Sequence, residues 1–168
     1  MTNASIQLEP ARDAIAYAAA RRLFSDYAAW LGVDLSFQGF EAELAGLPGK
    51  YAPPEADAAG GELIVAWRDA EDGSREAVGC VAVRPFADDA CEMKRLWVMP
   101  EARGSGLGVR LGEAILDVSR RLGYRRMLLD TLRSMSAANR LYQRLGFREV
   151  PPYYHNPHPD VVYYARDL

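Results

Sequence analysis

The stretch Arg103-Gly104-Ser105-Gly106-Leu107-Gly108 lies between an apolar run typical of a strand and a segment with the apolar spacing of a helix. Three glycines in this stretch leave backbone N–H groups uncovered by side chains, and a helix N-terminus adds partial positive charge to them. Arg103 supplies a full positive charge beside them. The combination predicts a binding site for a phosphate or pyrophosphate group, and hence a phosphorylated ligand.

The segments on either side of this loop predict a mixed sheet with helices, in the α/β or α+β class. The order is helices, three strands, helix, strand, helix and two strands, judged from apolar periodicity and turn residues. Residues 46–61, rich in proline, glycine and alanine, are predicted to be a loop and the least structured part of the chain. The predicted helices are 12–31, 40–45, 107–122 and 134–145, the last capped by Ser134, and the predicted strands are 62–68, 77–84, 91–98, 126–131, 147–150 and 161–165.

Length and composition restrict the classes of protein. The 168 residues predict a single domain over 1–168 with a buried core. A net charge of −3 argues against a nucleic-acid-binding surface. The first residues lack the pattern of a secretory signal, and no apolar stretch is long enough to span a bilayer, so we expect neither nucleic-acid nor membrane partners.

The cysteines and histidines also bear on function. Cys80 and Cys91 lie in apolar strand-like runs, which predicts buried free thiols of a cytoplasmic protein. His155 and His158 share a proline-rich segment but lack a third ligand at a suitable spacing, so no metal site is expected.

Two well-known phosphate-binding folds deserve comparison with the glycine loop. A dinucleotide-binding fold would explain Asp130, roughly twenty residues further on. Its third glycine would fall on Val109, however, and a second βαβαβ half is missing. A P-loop is excluded because no Gly-Lys-Ser/Thr follows.

A second segment, Asn139-Arg-Leu-Tyr142-Gln-Arg-Leu-Gly-Phe147, narrows the interpretation. Together with Arg103-x-x-Gly106-x-Gly108 and the preceding Arg95-Leu-Trp-Val98-Met-Pro100, it resembles the acyl-CoA-binding segments of the GNAT acetyltransferase family. The resemblance runs from about residue 62 to the C-terminus. It implies a mostly antiparallel sheet flanked by helices, with a central pair of strands that splay apart.

The resemblance also implies a reaction. An acetyl group would pass from acetyl-CoA to a primary amine by direct attack in a ternary complex, with no metal. The acceptor is expected to be a small molecule, and the assembly is compatible with a homodimer. Two alternatives stay open: a module that binds or senses acyl-CoA without catalysis, and an acyltransferase that uses a longer acyl-CoA.

Roles for individual residues follow from the same resemblance. Tyr142 would be the general acid that protonates the leaving thiolate, although its helical spacing also suits a core residue. Glu92 would be the general base, directly or through water, although it also suits a solvated strand position. The cofactor-binding residues implied are Leu96, Trp97, Val98, Arg103, Gly104, Ser105, Gly106, Leu107, Gly108, Val109, Asn139, Tyr142 and Arg144.

Overall fold

A computed structural model describes residues 5–56 and 58–168 of the chain. Its seven strands form one sheet in the order β1-β2-β3-β4-β5-β7-β6, with a helix layer on each face. The predicted mixed, mostly antiparallel sheet is confirmed. The strands are β1 (Ile6–Pro10), β2 (Glu62–Asp69), β3 (Arg75–Ala87), β4 (Ala90–Val98), β5 (Arg126–Leu132), β6 (Arg148–Val150) and β7 (Val161–Asp167), and the helices are α1 (Ala14–Leu31), α2 (Phe40–Ala45), α3 (Leu107–Arg121) and α4 (Ser136–Arg144).

Strand direction separates this fold from a dinucleotide-binding fold. Every neighbouring pair in the sheet is antiparallel except β4 with β5. A doubly wound dinucleotide fold needs a largely parallel sheet. That alternative for the glycine loop is therefore ruled out.

The two faces of the sheet carry separate apolar cores. On one face, α3 packs Leu111 and Ile115 onto the sheet, where both are fully buried. On the other face, α1 packs Leu23 and Phe24, which are equally buried. No helix in the described ranges is apolar over a length that would cross a membrane.

The start of α1 is capped by a residue type that favours this position, whereas the start of α4 differs from the prediction. The Asp13 carboxylate accepts a hydrogen bond from the Ala16 N–H at 2.8 Å and caps α1. The prediction that Ser134 caps α4 is wrong. The helix begins at Ser136 without a side-chain cap, and the Ser134 N–H instead donates to Asp160 Oδ2 at 2.9 Å.

Strand β1 was not among the predicted elements. It lies at the edge of the sheet and pairs antiparallel with β2, from Ile6 opposite Arg68 to Pro10 opposite Ile64. The first four residues, where a secretory signal would begin, lie outside the described residues. The alternation of apolar and polar residues in β1 spans only Ile6 to Glu9 before Pro10, which is too short to stand out in the sequence.

Residues 46–61 are better packed than the predicted loop. Tyr51 is buried against the α1 face, and its hydroxyl donates to Glu43 Oε1 at 2.7 Å. The Tyr124 hydroxyl donates to the carbonyl of Gly60 at 2.6 Å. A Cβ on Gly61 would lie 2.3 Å from the Val83 carbonyl oxygen. Described over 46–56 and 58–61, the segment is a loop with one 3-10 turn, Gly49–Tyr51; it is anchored at Tyr51, Gly60 and Gly61, while residues 54–56, 58 and 59 are exposed.

The centre of the sheet opens between β4 and β5. Their pairing extends only from Ala90 opposite Arg126 to Glu92 opposite Leu128, after which the strands diverge. The splayed central pair implied by the sequence is confirmed, and the gap that it leaves becomes the site described next.

A β-bulge in β4 changes the face of the sheet on which the Arg95 side chain lies, beside this gap. Arg95 has φ of +59°, and Arg95 and Leu96 together occupy the place opposite Val81. Without the bulge, Arg95 would point to the face opposite Lys94. With it, both basic side chains reach the α1 and α2 face, where Lys94 contacts Gln38 and Arg95 contacts Glu43.

Candidate active site

The gap between β4 and β5 widens into a cleft of about 580 Å³. One wall is β4 with the loop that leads into α3, and the other is the end of β5 with α4. The turn after α1 covers one side. Residues from six separate parts of the chain thus meet in one cavity, because the sheet pairing stops where it does.

The glycine loop lies at one end of this cleft. Gly104 and Gly106 both have φ of +78°, a backbone conformation that favours glycine. Helical bonding starts with the Arg110 N–H to the Gly106 carbonyl at 3.1 Å. The N–H groups of Leu107, Gly108 and Val109 therefore have no acceptor within α3. These donors fit a bound pyrophosphate.

Arg103 is held at the rim of the cleft by two indole rings. Its guanidinium lies 5.1 Å from the ring centre of Trp30 and 4.8 Å from that of Trp97. Its Nε donates to the Val98 carbonyl at 3.1 Å, and its two Nη groups have no hydrogen-bond acceptor within the described ranges. The guanidinium charge is thus fixed in place, and its Nη groups are available as hydrogen-bond donors to an anionic ligand.

The three predicted residues of β4 differ in what they offer. Leu96 and Val98 place their side chains on the α3 face, and Trp97 places its ring on the α1 face. The Met99 N–H donates to the Val78 carbonyl of β3 at 2.9 Å. Because backbone groups alternate in direction along a strand, those of Trp97 also face β3, and those of Val98 face the opening. The backbone of Val98, and not that of Trp97, is thus directed to the cleft.

The indole of Trp97 carries an orphaned donor. Its Nε1 is buried and has no hydrogen-bond partner among residues 5–56 and 58–168. Buried donors of this kind are rare, and a ligand that brings an acceptor would satisfy it. The ring lines the cleft, so this observation also fits an occupant with carbonyl or phosphate oxygens.

Tyr142 lies on α4 and lines the cleft from the α3 side. The residue is 8% exposed, packs edge-on against Phe147 and makes no hydrogen bond through its hydroxyl in the described part of the chain. Burial raises the pKa of the phenol, to which the nearby Tyr27 and Asp130 add. The side chain is therefore a protonated hydroxyl with no partner among the described residues, and it can donate a hydrogen bond to a group in the cleft.

Three other predicted residues have different surroundings. Arg144 lines the cleft, whereas the Ser105 hydroxyl donates to the Ala102 carbonyl at 2.7 Å. The Asn139 side chain is engaged within the fold: Nδ2 donates to the Leu132 and Met135 carbonyls at 2.9 and 2.7 Å. Its Oδ1 accepts from the Tyr164 hydroxyl. Asn139 therefore joins α4 to β5, and its contact with a cofactor stays a prediction.

Glu92 lies beneath the cleft and does not line it. It is 1% exposed. Its Oε1 accepts from Arg84 Nε at 2.9 Å and its Oε2 from the Tyr153 hydroxyl at 2.5 Å. Both oxygens are thus occupied, and a proton from an amine would reach Glu92 only through intervening groups.

Asp130 is the one carboxylate that lines the cleft in the described residues, and Lys94 faces it from β4. Neither was predicted as a site residue. Asp130 had a visible signal in the sequence, since it directly follows the apolar run from Met127 to Leu129 within one strand, whereas Lys94 is one of three charged residues in β4 and does not stand out. That signal shows that a buried charge needs a partner, but it does not show which one.

The cysteines and histidines are also placed. Cys80 and Cys91 are buried free thiols, as predicted. His158 lines the cleft and its Nδ1 accepts from the Asp160 N–H at 3.1 Å. Over the described ranges, no group of three or more metal-ligating side chains is close enough to hold an ion.

Comparison with known proteins gives one consistent family. The acetyltransferase (GNAT) family model matches residues 16–147. An uncharacterised N-acetyltransferase of Schizosaccharomyces pombe is 49% identical over 149 residues, covering 88% of this chain and 86% of the relative.

Solved structures agree. An acyl-CoA N-acyltransferase structure from Klebsiella pneumoniae superposes with a TM-score of 0.70 at 25% identity, covering 99% of both chains. A GNAT acetyltransferase from Staphylococcus aureus gives a TM-score of 0.75 at 16% identity, covering 98% of this chain and 99% of the other, and so supports the fold alone. With its splayed strands, its glycine loop and its free tyrosine, the chain belongs to the GNAT family of N-acetyltransferases.

Proposed function

We propose that this N-acetyltransferase transfers the acetyl group of acetyl-CoA to the primary amine of a small molecule, by direct attack in a ternary complex. The observation that carries the proposal is the opening between β4 and β5. It brings a glycine-rich helix start and a tyrosine hydroxyl without a described partner into the lining of one cleft. The two buried free thiols support action in the reducing cytoplasm.

The donor side would be held by groups already described. Backbone N–H groups from Gly104 to Val109 would bind the pyrophosphate, with Arg103 and Arg144 at the rim. The backbone of Val98 and the neighbouring Leu96 would align the pantetheine arm along the open edge of β4. Acetyl-CoA, when bound, supplies an acyl group activated as a thioester.

Two proton transfers would then involve residues of the chain: one to the leaving sulfur and one from the attacking amine. The Tyr142 hydroxyl would donate a hydrogen bond or its proton to the departing sulfur as the C–S bond breaks. The amine must lose a proton to form the C–N bond. Glu92 stays our proposed base only through a relay, because Arg84 and Tyr153 occupy its oxygens.

A thioester-cleavage assay tests the function directly. Purified protein is incubated with acetyl-CoA and a panel of small primary amines, and released CoA is measured against a blank without amine. We expect amine-dependent release with equimolar N-acetylated product by mass spectrometry. CoA binding without turnover of any amine would instead support an acyl-CoA-binding module. Faster turnover of longer thioesters would support an acyltransferase of different chain length.

A further inference from the structure

A buried lysine and a buried aspartate face each other across the opening. Lys94 and Asp130 are the next residues on the α1 face beyond the last paired positions, Glu92 and Leu128. Their side chains are 4% and 7% exposed. The Nζ to Oδ1 distance is 3.8 Å, so the charges attract each other but do not hydrogen-bond.

Both groups keep unused hydrogen-bonding capacity. Lys94 Nζ donates to Gln38 Oε1 at 3.1 Å, which leaves two of its three N–H groups without an acceptor in the described ranges. Asp130 Oδ2 accepts from the Tyr154 hydroxyl and from Asn156 Nδ2. Asp130 Oδ1 accepts from no described group. Buried charges are normally satisfied, so this pair is incomplete.

The neighbouring buried ion pairs are complete by comparison. Arg84 bonds Glu92 at 2.8 Å, and Tyr153 takes the other oxygen. Arg95 bonds Glu43 through Nε at 2.8 Å, and Tyr51 donates to the same carboxylate. In both pairs the carboxylate accepts a further hydrogen bond from a tyrosine hydroxyl. The unsatisfied capacity on this face of the sheet is therefore concentrated at Lys94 and Asp130.

The charge of the cleft favours a ligand that carries an anion. Its lining includes one carboxylate, Asp130, against the cations Lys94, Arg95, Arg103 and Arg144 among the described residues. Arg103 and Arg144 lie toward the proposed donor end, and Arg95 is neutralised by Glu43. Burial lowers the pKa of the Lys94 ammonium, which Glu92 and Asp130 oppose, so an added carboxylate would stabilise its charged form. A polyamine would find no excess of acid here.

We propose that the acceptor is an α-amino acid whose carboxylate binds Lys94 Nζ while its amino group faces Asp130 Oδ1. This inference rests on the proposed acetyl transfer and specifies its acceptor. In an α-amino acid, standard bond lengths place the nitrogen about 3 Å from the nearer carboxylate oxygen. Hydrogen bonds of about 2.7–3.2 Å from each ligand atom can therefore reach Nζ and Oδ1, which lie 3.8 Å apart, so one molecule can satisfy both. Asp130 would orient the amine at the point where the strands part.

The first test compares acids with their amides in the unmodified protein. The twenty protein amino acids are assayed with acetyl-CoA, and each substrate found is compared with its carboxamide and its decarboxylated amine. We expect kcat/KM to be about 10- to 100-fold higher for the amino acid, the effect of one charge-assisted hydrogen bond. Equal turnover of acid and amide would overturn the inference and leave the acetyltransferase proposal intact.

The second test changes the lysine. The chain has two lysines, and Lys50 is exposed, so Lys50→Gln is a matched control for Lys94→Gln. We expect Lys94→Gln to lower kcat/KM for the amino acid at least tenfold and for its carboxamide much less. Lys50→Gln should change neither. Thermal denaturation checks that both variants are folded, and the acid-to-amide comparison above needs no variant.

A binding measurement separates failure of the inference from failure of the reaction. The same amino acids are titrated calorimetrically into protein saturated with CoA. Binding that Lys94→Gln abolishes would support the carboxylate site even if no amine is acetylated. If none of the twenty binds or reacts, the amino-acid inference is wrong.

Discussion

At the scale of single residues, the Tyr142 hydroxyl is a group with a position in the cleft and no described structural partner. Tyr142→Phe should therefore lower kcat by about 10²-fold or more, the contribution of a general acid, with little change in KM for acetyl-CoA. Because burial raises the pKa of Tyr142, the phenol stays protonated as pH rises through the neutral range. Steady-state kinetics between pH 6 and 9 measures both effects.

Tyr164 offers the matched control, since its hydroxyl has a structural bond. It donates to Asn139 Oδ1 at 2.9 Å. Tyr164→Phe should lower the free energy of unfolding by about 1 kcal/mol and leave kcat nearly unchanged. If Tyr142→Phe keeps full turnover at every pH, the general-acid assignment is wrong, and Tyr142 serves only to pack against Phe147.

At the scale of elements, the start of α3 depends on a glycine with positive φ. A Cβ at Gly106 meets no atom within 4 Å, so a substitution there is strained by its backbone, with φ of +78°, and not by a steric clash. Gly106→Ala should destabilise the fold by about 1–2 kcal/mol. It should also weaken CoA binding about tenfold, since the N–H donors after it would shift. Calorimetric titration with CoA and thermal unfolding measure the two.

Gly73 provides a control with the same strain away from the cleft. It lies between β2 and β3 with φ of +82° and open space around its Cβ position. Gly73→Ala should lose comparable stability and retain the affinity for CoA. Equal CoA affinity in both variants would show that the glycine loop does not hold the cofactor.

At the scale of the whole molecule, the two buried thiols report on unfolding. Burial raises the pKa of Cys80, and it raises the pKa of Cys91 to about 11. Against a free thiol near pKa 8.5, Cys91 would hold about 100-fold less thiolate at pH 8. We expect both cysteines to react with an aromatic disulfide reagent at least 100-fold more slowly in the native protein than in denaturant.

The same shift predicts how stability changes at alkaline pH. The thiol pKa is higher in the folded than in the unfolded state, so its contribution is full below about pH 8.5 and is lost as pH rises toward about 11. Urea unfolding at pH 7.5 and 10.5 should show the decrease. Rapid modification of either cysteine with retained circular dichroism would contradict this picture, because it would require local opening of the core.

The local sequence determined the elements whose signals are local. Apolar spacing and a terminating glycine defined α1 and α3, and α2 begins and ends at the predicted residues 40 and 45. The glycine loop and the Asn139 to Phe147 segment indicated the family. Ser134 failed as a cap because α4 begins two residues later, at Ser136, and the Ser134 N–H bonds to Asp160, a contact that the local sequence does not show. Strand β1 was missed because its local alternation is short and its pairing partner, β2, is more than fifty residues away.

What only the tertiary structure decided is how charged residues of different elements meet. In the sequence, Asp130 follows an apolar run and Lys94 lies among other charged residues of β4, but hydrogen-bond register and the divergence of β4 from β5 determine that they face each other. Register also places Arg84 opposite Glu92, whereas the Tyr153 hydroxyl reaches Glu92 from the segment between β6 and β7. The sequence alone therefore indicated the proposed acyl-donor end, most of whose groups come from one continuous loop. The proposed acceptor end depended on the fold, because its groups converge from strands and loops that are distant along the chain.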